Sequence, residues 1–236
     1  MAETPHFAHL VALLFLGSGF LAIVWAVSFL LAVLARKYLF ARFAGITAMA
    51  IVAGYAVVLL GVAVASPDRT LQVGGWKYFC EADCHIAYQV EGVQSASTIG
   101  PEGKPTTARG QFVIVRLRTW FDQRTLAPFR GNSPLAPGPR MVQVVDDAGL
   151  RYFPIEKAAK ALGLRSTSIN QPLRPGESYE TSLVFDIPPE AINPRPLIAD
   201  AGPGSRLLID HENSPLHGKI FLSLDGVPST TTLSDP

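Results

Sequence analysis

Charge is missing from two long stretches of this 236-residue chain: neither Leu10 to Ala35 nor Phe43 to Ser66 holds an Asp, Glu, Lys or Arg. A transporter or proton relay keeps ionisable groups at membrane depth, so their absence argues against those functions. Motifs of catalysis are missing as well. There is no Gly-x-Ser-x-Gly, no His-Glu-x-x-His and no phosphate-cradling glycine loop leading into a helix, so the chain is expected not to be an enzyme. Net charge is only +1, with Lys and Arg scattered singly through the polar part. That gives no basic face for nucleic acid. Cysteine is scarce, with two residues in all.

What is present explains the first absence. Each charge-free run, at about 1.5 Å per residue, is long enough to cross a hydrocarbon core of about 30 Å. The sequence therefore predicts a transmembrane hairpin over 10–66, with helices at about 10–35 and 43–66. Between them, Arg36-Lys37-Tyr38-Leu39-Phe40-Ala41-Arg42 carries three cations and no anion. The positive-inside rule then puts this loop in the cytoplasm and both termini outside, in an inner (cytoplasmic) membrane. The leader 1–9 agrees, holding Glu3 and no Lys or Arg. A cleaved signal peptide would need a basic start and a much shorter apolar core.

Within the second helix, small residues recur at four-residue spacing: Ala44 with Ala48, Ala50 with Gly54, and Gly61 with Ala65. Such pairs let helix backbones approach where the hydrophobic effect supplies no drive. They serve either the hairpin itself or another integral membrane subunit. The expected partners are membrane lipid and such subunits.

From about residue 72 to 226 the chain is rich in Gly, Pro, Ser and Thr, with short alternating runs. Strands are expected at about His85–Glu91, Gln111–Trp120, Arg140–Asp146, Leu150–Phe153, Tyr179–Asp186, Arg206–Asp210 and Gly218–Leu224. Phe112, Ile114 and Leu117 alternate loosely with Arg116, Arg118 and Thr119, as in a sheet with one wet face. Asp146-Asp147-Ala148-Gly149 reads as a hairpin turn. Ile155 to Leu164 reads as one short helix, 94–109 and 127–139 as loops, and 227–236 as a tail. Short strands punctuated by turns suggest a two-sheet sandwich.

Two clusters could carry chemistry. In Tyr78-Phe79-Cys80-Glu81-Ala82-Asp83-Cys84-His85, the cysteines suit a disulfide in an oxidising compartment. With His85 they also suit a copper or zinc site, or haem attachment, although three residues separate the cysteines where haem attachment usually has two. In Asp210-His211-Glu212-Asn213-Ser214-Pro215-Leu216-His217, His211 and His217 could complete a metal site with Cys80, Cys84 and His85, or the segment is a self-satisfied polar loop. No cofactor is expected on the leading reading. Copper is the alternative, in an electron-transfer protein.

The run Leu173-Arg174-Pro175-Gly176-Glu177-Ser178-Tyr179-Glu180-Thr181-Ser182-Leu183-Val184-Phe185-Asp186-Ile187-Pro188 resembles the signature of bacterial membrane-anchored, immunoglobulin-like extracytoplasmic domains of unknown function. The resemblance covers about residues 76–224. It implies an immunoglobulin-like sandwich that binds other proteins or shields surfaces, and it assigns no catalytic residue. Together the readings lead to a membrane-anchored accessory or scaffolding subunit, with its β domain on the periplasmic side, in an assembly such as a respiratory or photosynthetic complex.

Overall fold

A computed structural model describes residues 8–79, 85–100, 105–126, 130–162, 164, 168–202 and 204–225. The disulfide and metal candidates Cys80 and Cys84, the leader 1–7 and the tail 227–236 lie outside the described residues. The chain forms two compact units. Of the described residues, one holds those of 8–68 and 204–219, and the other those of 69–202 and 220–225.

Two apolar helices dominate the first unit. Helix α1 runs Ala8–Leu34 and α2 runs Tyr38–Ala65. Their apolar spans of 25 and 28 residues have mean hydropathies of 2.5 and 2.4. Serine and threonine hydroxyls inside them are satisfied locally, with Ser28 Oγ donating to the Val24 carbonyl at 2.8 Å and Thr47 Oγ1 to that of Phe43 at 3.0 Å. The connection is tighter than the seven-residue loop expected. Arg36 takes a left-handed φ of 58°, and the Lys37 amide reaches back to the Ala32 carbonyl at 2.8 Å. This Schellman closure satisfies the last carbonyls of α1 and lets α2 begin at once, so Arg42 is helical and exposed. Ala32, Ala41, Ala44, Leu59 and Ala63 are buried, and the Trp25 and Phe43 rings meet edge to face at 5.5 Å.

The second unit is a β-rich sandwich. Its strands are β1 (Arg69–Leu71), β2 (Lys77–Phe79), β3 (Ile86–Ile99), β4 (Thr106–Phe121), β5 (Arg140–Val145), β6 (Arg151–Tyr152), β7 (Ser178–Ile187), β8 (Arg195–Asp200) and β9 (Ile220–Leu222). One antiparallel sheet has the order β2-β3-β4-β7 and a second the order β6-β5-β8, while β1 and β9 pair in parallel. Side chains alternate across a strand. Val113, Val115, Leu117 and Phe121 thus join Tyr88, Val90 and Phe185 in one core with Val142, Val144 and Ile198 of the other sheet.

The wet face expected for β4 is only partly wet. Phe112 and Ile114 point the other way, yet they are buried with Val184 under Ala158 and Ala159 of the short helix α3 (Glu156–Ala161). The run Phe112-Val113-Ile114-Val115 is therefore apolar on both faces; beyond the helix Arg116, Arg118 and Trp120 are half-buried, while Thr119, expected on the wet face, points into the sandwich and is buried. The expected turn is present: Gly149 takes a φ of 80° and its amide donates to the Asp146 carbonyl at 3.0 Å. Two expectations fail. Residues 94–99 and 106–109 extend β3 and β4 rather than forming a loop, because their backbones pair from Gln94↔Ile114 to Ile99↔Thr106 across one register shift, between Ala96 and Thr98. No strand forms at 206–210, where a 3-10 turn spans Gly204–Leu207 and Asp210 has a left-handed φ of 62°.

Candidate functional site

Strand β2 is three residues long, and its alternation divides two kinds of chemistry. Lys77 and Phe79 point inward. The Lys77 ammonium, 2% exposed, donates to the Ile198 carbonyl at 2.6 Å and the Ile220 carbonyl at 2.8 Å. It lies 5.1 Å from the Phe79 ring centroid, while the Arg140 guanidinium lies 4.2 Å from it. Arg140 and Asp200 pair at 3.0 Å with side chains 3% and 6% exposed. These cations hold the sheets together and are sealed from any substrate.

Tyr78 points outward. It stands opposite Ala87, which in turn stands opposite Trp120. The small alanine leaves room between the two large side chains. The Trp76 ring packs on Trp120 at 5.1 Å, and the Arg124 guanidinium lies 5.2 Å from the Trp120 ring. Asp122 organises this patch. Its carboxylate accepts from the Tyr78 phenol at 2.7 Å, from Arg124 Nε at 2.9 Å and Nη2 at 2.8 Å, and from the Arg124 amide at 2.9 Å. Burial, then the hydrogen bond to Asp122 and its charge, push the Tyr78 phenol up from 10.0 to about 12. Burial would raise the Asp122 carboxyl, but the hydrogen bonds from Arg124 and Tyr78 outweigh it and hold the group below the usual carboxylate value.

His85 sits behind the patch, stacked on Phe121 at 5.5 Å. Its Nδ1 is 2.5 Å from Thr125 Oγ1, and that hydroxyl donates to the Asp122 carbonyl at 2.8 Å. The hydroxyl's one proton being spent there, Nδ1 is the donor to Thr125. His211 Nδ1 accepts from the Asn213 amide at 3.0 Å. His217 places Nδ1 2.6 Å from the Gly218 carbonyl and Nε2 3.3 Å from Asp210 Oδ1. Among the described residues no three of His, Cys, Asp and Glu gather closely enough to hold a metal.

The six small residues singled out on α2 divide between two faces. Ala44 is buried and Ala48 half-buried, whereas Ala50, Gly54, Gly61 and Ala65 are exposed. A side chain added at Gly54 or Gly61 would meet nothing within 4 Å, whereas one added at Gly45 would meet the Phe29 ring at 3.2 Å. The patch of Trp76, Tyr78, Trp120 and Arg124 escapes sequence reasoning because only the β2-β3-β4 register brings it together. The alternation of Tyr78 against Lys77 and Phe79 was the available signal.

No family model matches the chain, and no curated protein matches it. Three solved structures are similar in shape. A conserved hypothetical protein from Bacillus anthracis has 17% identity and a TM-score of 0.40, over 54% of this chain and 87% of that one. A secreted protein from Mycobacterium tuberculosis has 11% identity and a TM-score of 0.41, over 66% and 97%. An uncharacterized beta-sandwich protein from Clostridium difficile has 9% identity and a TM-score of 0.38, over 66% and 94%.

Proposed function

We propose that this chain is a non-enzymatic accessory or scaffolding subunit, anchored in the inner membrane by its helical hairpin and docking its β domain on an extracytoplasmic protein surface. The observation that carries this reading is the outward patch of Trp76, Tyr78, Trp120 and Arg124, held in place by the buried Asp122. Trp, Tyr and Arg are the residues that most often dominate binding energy at protein interfaces. Here they are fixed before binding, which lowers the ordering cost.

Three further features support it. The cation-only turn at Arg36 and Lys37 favours a cytoplasmic turn and an extracytoplasmic β domain. The exposed Ala50, Gly54, Gly61 and Ala65 leave one side of α2 smooth enough for a foreign helix. The Tyr179 phenol donates to the Ile169 carbonyl at 2.7 Å, ten residues upstream, in the manner of the tyrosine corner of immunoglobulin-like sandwiches. Respiratory and photosynthetic assemblies are natural hosts for such a subunit.

Purification in mild detergent from the native membrane tests the proposal. The native chain should leave with a defined membrane subunit that Trp120→Ala and Arg124→Ala release and Ile192→Ala, a change at an exposed site away from the patch, does not. A lone monomer from the native membrane, or a partner indifferent to the patch variants, overturns it.

A further inference from the structure

The segment 203–219 belongs to the helical unit, about 140 residues after α2 in the chain. Two backbone amides pin its end to the residues that follow α2. The Gly218 amide donates to the Ser66 carbonyl at 3.0 Å, and the Lys219 amide to Asp68 Oδ1 at 2.7 Å. Only glycine permits the first, because a Cβ at Gly218 would lie 2.3 Å from the Pro67 carbonyl carbon.

From there the segment descends along the helix. The Tyr55 phenol donates to the Leu207 carbonyl at 2.5 Å, and Tyr55 lies ten residues before Ala65, the end of α2. At 1.5 Å per residue that is about 15 Å along the helix, so the segment lies beside the C-terminal turns of α2 rather than wholly beyond them.

The segment exposes two leucines and buries part of its polar set, while Ile209 is buried at 9% and Asp210 is exposed. Ser205, Glu212 and Ser214 are buried at 7%, 8% and 1% exposure, while Leu207 and Leu216 are exposed at 52% and 74%. Three polar contacts close within the segment and its end. Ser214 Oγ donates to the Leu208 carbonyl at 2.5 Å, Asn213 Nδ2 to Ser205 Oγ at 3.0 Å, and Lys219 Nζ to the Glu212 carbonyl. Leu216 takes a left-handed φ of 66°, a conformation that side-chain-bearing residues rarely adopt. Arg206, beside Leu207, is exposed. A loop with internal polar contacts, two leucines outside and a cation beside one of them suits a lipid interface, where the leucines lose contact with water and the cation meets phosphate.

We infer that residues 204–217 form an interfacial membrane element, inserted in the leaflet at the C-terminal end of α2, with Leu207 and Leu216 among the acyl chains and Arg206 beside the lipid phosphates. The inference rests on the reading that the hairpin spans the membrane.

The test uses the full chain in phosphatidylethanolamine and phosphatidylglycerol vesicles. An environment-sensitive fluorescent amino acid replaces Leu207, Leu216, Val57 or Ile192, one per variant, and the vesicles carry either plain or chain-brominated lipid. Val57 is exposed on α2 and reports on the hairpin, while Ile192 is exposed on the β domain and serves as the aqueous control. Probes at 207 and 216 should lose about half or more of their emission to brominated lipid, as at 57 and unlike 192. Quenching at 57 with 207 and 216 behaving like 192 overturns the inference and leaves the anchor standing. Blue-shifted but unquenched probes at 207 and 216 mean that protein covers the leucines, which also overturns it. No quenching at 57 removes the anchor itself.

Discussion

Arg140 and Asp200 stand directly opposite each other on paired strands β5 and β8, and their side chains close a 3.0 Å ion pair inside the sandwich. The pair is more than a cross-strand contact. Asp200 also accepts the Gly202 amide at 2.9 Å, and Arg140 lies on the Phe79 ring. Asp200→Ala leaves a guanidinium buried without its anion, which costs about 3–5 kcal/mol. Replacing both residues together by apolar side chains of similar volume should cost far less. Urea denaturation of the full chain in detergent, followed by tryptophan fluorescence, separates the two outcomes.

Tyr78 and Asp122 set opposite limits to the pH range of the β domain. The folded state holds the Tyr78 proton more tightly than the unfolded chain does, so this contribution is complete below pH 10 and is lost as pH rises towards about 12. Asp122 is held below its ordinary value of 3.8, so its contribution is complete above that pH and is lost as pH falls below it. An alkaline absorbance titration should show late-ionising tyrosine that Tyr78→Phe diminishes. Asp122→Asn should bring the Tyr78 ionisation earlier, while burial, the largest cause, keeps it above 10.

Much of the sandwich was legible because its signals are local. The strands around Gln111–Trp120 and Tyr179–Asp186 alternate, and Gly149 marks a turn by its positive φ. Strands β1, β2 and β8 escaped notice. They are short or begin at proline-flanked residues, and they exist because a neighbour pairs with them: Arg69–Leu71 with Ile220–Leu222, and Arg195–Asp200 with Arg140–Val145. The segment 206–210 misled by its apolar Leu207, Leu208 and Ile209, which pattern alone assigns to a strand. Its partner is Tyr55, some 150 residues away, and no sequence window contains both. The helix hairpin was the clearest feature, since composition fixes it. Which of its small residues face inward depends on the crossing of α1 and α2, a tertiary property.

Gly110 is a close-approach glycine that its sequence context does not betray. Its amide and that of Arg109 both donate to the Asp186 carboxylate, at 3.0 and 2.9 Å, and a Cβ there would fall 2.2 Å from the Ile187 carbonyl oxygen. The obstacle is backbone, which cannot swing aside as a side chain can. Gly110→Ala should therefore open the β4-β7 pairing at this end and cost about 1–3 kcal/mol, read as a fall in the thermal midpoint. Gly131→Ala, at a site with open space around it, should cost less and report only the strain of its φ of 72°.

The two faces of α2 should answer differently to the same substitution. Gly45 lies against Phe29 of α1, so Gly45→Leu drives a branched side chain into the ring and pushes the helices apart. A lower thermal midpoint in detergent is expected, with loss of the Trp25 to Phe43 contact that a fluorescence shift reports. Gly54→Leu adds the same bulk where nothing lies within 4 Å, so the isolated chain should keep its midpoint. If a foreign helix covers that face in the native membrane, the leucine must intrude there, because close backbone approach is what a glycine permits. Gly54→Leu should then leave the hairpin intact while weakening co-purification of the membrane subunit. That pairing of an unchanged midpoint with a lost partner separates an interface residue from one that merely supports the fold.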